Sequence, residues 1–157
     1  MSYAESCLAH YSTLPIQLLP KEMRNYTAAQ VLTIIFEKEL RVGELNFLEG
    51  RQIKIAVSDA NLEVNVTLVN GQIQAGKEKN IPDLTISGNV YDFLLLMTGR
   101  EDPDTLFFQR RLCMHGNTGV GVHLKNFLAA IDPKTLPFGN LVQPALYRCV
   151  DVYEWWM

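Results

Sequence analysis

Histidine and cysteine side chains are the first candidates for chemistry in this 157-residue chain. His10, His115 and His123 form no HExxH spacing and stand beside no plausible set of metal ligands. Cys113 lies in a predicted strand, where the sequence supplies no base to stabilise a thiolate. The sequence also lacks a GxSxG nucleophile elbow. These patterns predict no catalytic residue, no metal site and no cofactor. A small enzyme that acts on a hydrophobic substrate through His115 or His123 is the alternative.

Two short polar segments could instead bind an anion. Arg110 and Arg111 follow two phenylalanines, and guanidinium groups beside apolar surface can hold the phosphate or carboxylate of a headgroup. The turn at 116–121 is rich in glycine but lacks the spacing of a P-loop or of a dinucleotide-binding fold. Its Asn117 and Thr118 open a predicted helix, whose free N–H groups could face a lipid phosphate. A solvated arginine pair and a capped tight turn are the commoner structures for such residues.

Alternating apolar residues predict the strands that position these groups. Asn70-Gly71 is a strong hairpin signal, because a two-residue turn needs positive φ at both positions. Five strands are expected, at residues 52–57, 62–68, 72–75, 83–87 and 112–115.

Apolar residues at helical spacing predict four helical segments. Thr27 begins a capping box, so the first helix should start there and end at Gly43. Its wide apolar surface predicts burial on two sides. Asn89 can cap a second helix, Asp102 can cap a short third one, and the fourth covers residues 117–131.

The order of these elements indicates an α+β fold, with helices packed over one face of a five-stranded, mostly antiparallel sheet. We expect an N-terminal arm at residues 1–26, a folded domain at 27–132 and an aromatic tail at 133–157. The tail carries Trp155 and Trp156, and we expect it to pack on the domain. A lid, a partner contact and a membrane-interface anchor are the alternatives.

The charges and cysteines indicate the cellular setting. The net charge is −3, from 14 Lys and Arg against 17 Asp and Glu, and the charges are scattered, which argues against binding to nucleic acid. The three cysteines form no CxxC pair, which favours a reducing compartment. The start resembles no secretory signal, and the longest apolar run, 93–97, is far shorter than the roughly 20 residues of a membrane span. We expect a cytoplasmic protein, with contact at the periphery of the inner membrane left open.

Large apolar side chains are in surplus in the second half of the chain. A simple core under the helices explains them, and the alternative is a cavity that holds a lipid-like ligand. The wall of such a cavity would include Phe93, Leu94, Met97, Phe107, Phe108, Leu124, Phe127 and Leu128.

Longer segments carry a family resemblance. Residues 100–112 read REDPDTLFFQRRL and are followed by Gly116-Asn117-Thr118, while residues 44–51 read ELNFLEGR. These segments resemble the sterol carrier protein 2 family, in its bacterial UbiT branch of ubiquinone biosynthesis accessory factors. The resemblance covers about residues 27–132. The chain departs from that branch at His115, Asn117 and Gly119, where acidic side chains are usual.

The resemblance implies a sheet and helices that enclose an apolar tunnel, which favours the cavity over the simple core. It implies a non-enzymatic lipid carrier for an isoprenoid quinone precursor, a fatty acyl chain or a phospholipid. The branch implies action with the UbiU and UbiV proteins in oxygen-independent ubiquinone biosynthesis. Arg110, Arg111, Asn117 or Thr118 would then meet the headgroup. A protein-interaction module of a biosynthetic complex, without a ligand of its own, is the alternative.

Overall fold

A mixed β-sheet forms the centre of the computed structural model, which describes residues 18–77, 81–132, 148, 150–152 and 154–156. Its strands are β1 (Gln52–Val57), β2 (Leu62–Val69), β3 (Gln72–Ala75), β4 (Leu84–Gly88) and β5 (Cys113–Gly116). They lie in the order β3-β2-β1-β4-β5. β1 pairs in parallel with β4, and the other neighbouring pairs are antiparallel. The prediction of a five-stranded, mostly antiparallel sheet is confirmed.

Helices precede, interrupt and follow these strands. They are α1 (Lys21–Ile35), α2 (Glu37–Val42), α3 (Val90–Thr98), α4 (Pro103–Phe108) and α5 (Thr118–Ala130), with a short 3-10 helix at Asn46–Leu48. The described residues 148, 150–152 and 154–156 are also helical. Among the described residues, none of the helices is long and apolar enough to cross a lipid bilayer.

The strand register gives the sheet one apolar face. Ile53 of β1 lies between Val66 of β2 and Leu84 of β4, so three buried side chains stand in one row across the sheet. Together with Ala29 of α1, Leu124 of α5, Ile86 and Val120, this row forms the first core cluster. Helices therefore cover this face, as the order of elements predicts.

The turn between β2 and β3 has the predicted geometry. Asn70 has a φ of +51° and Gly71 a φ of +72°. Two consecutive positive φ angles match the right-handed twist of the flanking strands, which is why this dipeptide favours a two-residue hairpin.

The first helix begins earlier than predicted. α1 starts at Lys21, directly after Pro20, and not at Thr27. The Thr27 hydroxyl donates to the Met23 carbonyl at 2.8 Å, a bond within the helix rather than a cap. The good helix formers that follow Pro20 extend the helix backwards. Gly43, with a φ of +80°, ends α2 in the left-handed conformation, as predicted for the end of this helical segment.

The predicted burial of the first helix on two sides is wrong. Val31 is 48% exposed and Ile34 is 46% exposed, whereas Ala29 is buried and Leu32 packs against the core. Among the described residues, α1 contacts β2 and β3 at one edge of the sheet, and the face that carries Val31 and Ile34 stays exposed.

The starts of the later helices differ in how they are capped. Asn89 and Asp92 form a capping box at the start of α3. The sequence predicts the cap by Asn89 but not the part that Asp92 plays. Asp102 precedes α4, but its side chain makes no capping hydrogen bond, so it is not the side-chain cap that the sequence predicts. Pro103 occupies the first turn of the helix. Asn117 caps α5, since its side chain accepts from the Val120 N–H at 3.1 Å.

A second, smaller core cluster lies between α3 and α4. It consists of Leu95, Leu106, Leu112 and Val150, all of them buried. Val150 is 0% exposed, so this one C-terminal residue contributes to the packed interior, whereas the other described residues of the segment are exposed. Leu112 lies just before β5, which begins one position later than the alternation predicts.

Candidate functional site

An apolar groove lies between the 3-10 helix and the first turns of α5. Its volume is about 550 Å³. We call it the α5 groove, and it is lined by Phe47, Arg51, Asn117, Thr118, Gly119, Val120, Val122, His123 and Asn126. Pockets of this size hold small organic ligands.

Aromatic rings form one wall of the α5 groove. The rings of Phe47 and His123 lie 5.1 Å apart, and the Phe127 ring lies 6.3 Å from Phe47. Phe36 meets Phe127 edge-on at 5.7 Å. The row of rings therefore leads from the groove towards the end of α1, and such offset contacts suit a further ring or an alkyl chain.

Polar groups stand at the other side of the α5 groove. The Arg51 guanidinium lies 3.6 Å from a carboxylate oxygen of Asp83, and both side chains are partly exposed. The Asn117 backbone N–H donates to the Asp83 carbonyl at 2.8 Å, while its side chain caps α5. Thr118 is exposed. The groove thus offers an apolar wall together with one cation, which fits an amphipathic ligand.

A second cavity, of about 430 Å³, lies where α3 begins. We call it the arginine cavity, and its lining residues are Ser58, Ser87, Gly88, Asn89, Tyr91, Asp92, Arg110, Arg111 and Cys113. Arg111 Nε lies 2.7 Å from Asp92 Oδ1, and its guanidinium lies 5.3 Å from the centre of the Tyr91 ring. Most of this lining is polar, in contrast to the α5 groove.

Polar contacts tie the C-terminal segment to α3 and to Arg100, which lies two residues after the end of that helix. The Tyr91 hydroxyl donates to Glu154 at 2.9 Å, and Arg100 pairs with Glu154 at 3.4 Å and with Asp151. We call these residues the C-terminal clasp. Burial raises the pKa of Tyr91, and the Glu154 carboxylate raises it further, while Arg111 opposes the shift. Trp155 is 83% exposed, so the clasp leaves this ring in water.

Six of the eight predicted cavity-wall residues belong to or pack against the two core clusters. Leu124, Phe127 and Leu128 belong to the first cluster, Leu94 and Phe107 pack on the second, and Phe93 touches both. Met97 is half-buried. A single tunnel that joins these residues stays a prediction.

Phe108 stands apart from the other predicted wall residues. It is 90% exposed, whereas Leu106 of the same helix is fully buried. Phe108 is the last residue of α4, and the helical period turns it away from the face that Leu106 buries. In this structure Phe108 therefore lines no interior space.

The predicted headgroup residues fall into two separate places. Arg110 and Arg111 line the arginine cavity, whereas Asn117 and Thr118 line the α5 groove. One pair precedes β5 and the other follows it, so the strand carries them to its opposite ends.

Outside the turn at 116–121, the sequence analysis missed five lining residues of the α5 groove: Phe47, Arg51, Val122, His123 and Asn126. The strand order contains a signal for Phe47 and Arg51. The first residues of β1 and β4 lie side by side, and β5 ends beside the start of β4. Residues just before β1 are therefore brought close to the start of α5, which follows β5.

Comparisons with known proteins agree with the predicted resemblance. The sequence model of the SCP-2 sterol transfer family matches residues 32–129. The ubiquinone biosynthesis accessory factor UbiT of Escherichia coli (strain K12) is 37% identical over 142 residues, which cover 90% of this chain and 80% of that protein. Human sterol carrier protein 2 is 37% identical over 68 residues, which cover 43% of this chain and 12% of that protein.

A solved structure supports the fold. The structure titled UbiJ-SCP2 ubiquinone synthesis protein superposes with a TM-score of 0.52 at 14% identity, and the match covers 65% of this chain and 90% of that one.

Proposed function

The chain belongs to the SCP-2 sterol transfer family, and we propose that it is a non-enzymatic lipid-binding accessory factor of ubiquinone biosynthesis. The identity to the UbiT accessory factor, which extends over 90% of the chain, supports the place in ubiquinone biosynthesis. The named relatives are an accessory factor and a carrier protein, which supports a role without catalysis.

The α5 groove is the observation that carries the lipid-binding role. Its aromatic wall, formed by Phe47 and His123, would stack on the ring of an isoprenoid quinone precursor. Arg51, at the polar side, would meet an oxygen substituent of that ring. A fatty acyl chain or a phospholipid is the other class that this combination would accept.

The chain of the ligand would follow the apolar side chains behind the groove. Phe127 and Leu128 are half-buried and pack on the first cluster, and Phe93 connects that cluster to the second. We propose that an isoprenoid or acyl chain enters between α5 and the sheet along these residues. Burial of about ten methylenes would contribute on the order of 8 kcal/mol to binding.

Native mass spectrometry of the full chain, purified without detergent, tests this function. We expect a bound lipid whose mass is released when the protein is unfolded in organic solvent. A polyprenylphenol added to the delipidated protein should restore a complex of one ligand per chain. Absence of any co-purified lipid, together with no binding of the polyprenylphenol or of phospholipid, would refute the proposal.

Exposed tryptophans favour a second candidate function, which is contact with partner proteins. Trp155 is 83% exposed and Trp156 is 59% exposed. Tryptophan is enriched at the energetic centres of interfaces. The family branch makes UbiU and UbiV the proposed partners, in oxygen-independent ubiquinone biosynthesis.

Substitution is a better test of this contact than truncation. Removal of the C-terminal residues would also remove Val150 from the second core cluster. The double variant Trp155→Ser and Trp156→Ser leaves that core intact. If it still binds UbiU and UbiV with wild-type affinity, the exposed tryptophans are not the partner surface.

A further inference from the structure

The arginine cavity shares no lining residue with the α5 groove, so it carries an inference of its own. We propose that the arginine cavity binds a phosphoryl group, either as the free ion or as part of a phosphate ester. The donors come from separate segments of the chain: Ser58 follows β1, Ser87 lies in β4, and Arg110 and Arg111 connect α4 to β5.

Arg111 is held in place before any ligand binds. Its Nε donates to Asp92 Oδ1 at 2.7 Å, and the Asp92 side chain is only 8% exposed. The guanidinium also lies over the Tyr91 ring. A guanidinium has five N–H donors, so donors remain after Nε is used, and a side chain that is already fixed loses little freedom on binding.

Gly88 allows the arginine segment to lie directly on the end of β4. A Cβ atom at Gly88 would lie 2.6 Å from Leu112 Cδ2 and 3.2 Å from the Arg111 backbone oxygen. A residue with a side chain at this position would require the Leu112 side chain to move and the Arg111 carbonyl to shift by a few tenths of an ångström.

Arg110 supplies the uncompensated charge of the cavity. The charged lining residues are two arginines and one aspartate, and Asp92 is already paired with Arg111. The Arg110 side chain is exposed and has no ion-pair partner among the described residues. Its φ of +59° places it in the left-handed position after α4, where glycine is the usual residue. An anion would therefore meet a free guanidinium here.

The two serines complete the set of donors. The hydroxyls of Ser58 and Ser87 have no hydrogen-bond partner within the described part of the chain. These donors come from separate segments of the chain, which suits the tetrahedrally arranged oxygens of a phosphoryl group better than the two coplanar oxygens of a carboxylate.

The backbone N–H groups at the start of α3 are not free to bind the ligand. The Val90 N–H already donates to Asp59 at 3.0 Å, and the Asn89 N–H donates to Asp92 at 3.3 Å. The arginine and serine side chains are therefore the groups that would bind the ligand.

Cys113 provides a direct reporter, because its half-buried thiol lines the cavity. The rate at which iodoacetamide alkylates Cys113 in the full chain can be followed by peptide mass spectrometry. The probes are inorganic phosphate, glycerol 3-phosphate, and phosphatidylcholine vesicles with and without phosphatidylglycerol, at an ionic strength held constant with sodium chloride. We expect a saturable decrease in the alkylation rate.

Two matched variants separate this site from general charge effects. Arg110→Gln should weaken the protection about tenfold or more, because hydrogen bonds to charged groups are worth about 1.5–3 kcal/mol. Arg41→Gln removes an arginine that is paired with Glu37 on α2, outside the cavity, and should leave the protection unchanged. A third variant, Arg110→Gly, suits the left-handed backbone, so it should keep the wild-type melting temperature or raise it while it loses the protection.

The outcomes decide between the sources of the phosphoryl group. Protection by glycerol 3-phosphate or phosphate identifies a soluble ligand, and protection by phosphatidylglycerol vesicles alone identifies a lipid headgroup. The proposal is overturned if no probe slows alkylation, if Arg41→Gln loses as much protection as Arg110→Gln, or if Arg110→Gly remains fully protected. None of these results depends on lipid in the α5 groove.

Discussion

The Tyr91 hydroxyl donates a hydrogen bond of 2.9 Å to Glu154, a residue 63 positions further along the chain. The bond ties the C-terminal segment to the first turn of α3, and Arg100 adds ion pairs to the same segment. Tyr91 also lines the arginine cavity. One side chain therefore belongs both to the C-terminal clasp and to the proposed anion site.

Because of the clasp, the free energy of unfolding should decrease as the pH rises in the alkaline range. Burial and the Glu154 carboxylate raise the pKa of Tyr91 above its ordinary value of 10.0. The folded state then holds the phenol proton more tightly than the unfolded state. The Tyr91 phenol therefore contributes fully to the free energy of unfolding at pH values below its pKa in the unfolded state. The contribution is lost as the pH rises through the pKa of Tyr91 in the folded state.

Urea unfolding of the wild type and of Tyr91→Phe at about pH 8 and about pH 11 measures this effect. The wild type should lose more stability than Tyr91→Phe between the two pH values, since other titrating groups are common to both proteins. Equal losses would show that Tyr91 does not contribute.

Val150 should contribute to stability as a core residue. It is 0% exposed in the second cluster, so Val150→Ala should lower the free energy of unfolding by about 2 kcal/mol, as buried large-to-small substitutions do. Val152 is 55% exposed, so Val152→Ala should change stability by less than about 0.5 kcal/mol. Chemical denaturation measures both, and an equal effect of the two changes would place Val150 outside the core.

Two glycines near the start of α5 should respond to alanine in opposite ways. Gly116 has a φ of +122°, and a Cβ there would lie 2.3 Å from the Asp83 carbonyl oxygen. Gly116→Ala should therefore destabilise by more than about 1 kcal/mol. Gly119 lies in the helix, where a Cβ would meet only the Asn117 side chain at 3.4 Å. Gly119→Ala should stabilise by about 0.5–1 kcal/mol. Thermal unfolding measures the stability of both variants. A Gly116→Ala variant as stable as the wild type would contradict the close contact between a Cβ there and the Asp83 carbonyl.

The strands could be predicted because their signals are local. The alternation in β1 and β2 and the Asn70-Gly71 turn depend only on neighbouring residues, and the structure reproduces them. The start of α1 was predicted wrongly, because Thr27 has the local features of a cap but bonds to Met23 inside the helix. The exposure of Val31 depends on where α1 lies against the sheet edge, which a helical period does not specify.

The site was harder to predict because it depends on strand order. Arg111 and Asn117 are close in sequence, yet they line different cavities since β5 separates them. Phe47 and His123 are distant in sequence, yet their rings meet in the α5 groove. No local pattern indicates such a contact, whereas the family resemblance indicates the fold that produces it.

Lipid binding in the α5 groove is the central claim, and a matched pair of variants tests it. Val122 lines the groove and is 52% exposed, while Val31 on α1 is 48% exposed and lines neither described cavity. The two positions are thus comparable in exposure, so Val122→Asp and Val31→Asp should perturb folding to a similar extent.

The most direct measurement is the affinity of each variant for a polyprenylphenol, read as displacement of a fluorescent fatty acid. We predict that Val122→Asp weakens binding by about tenfold or more, because a carboxylate in the groove must lose water when the apolar chain binds. Val31→Asp should bind like the wild type. Wild-type affinity of Val122→Asp would contradict the account.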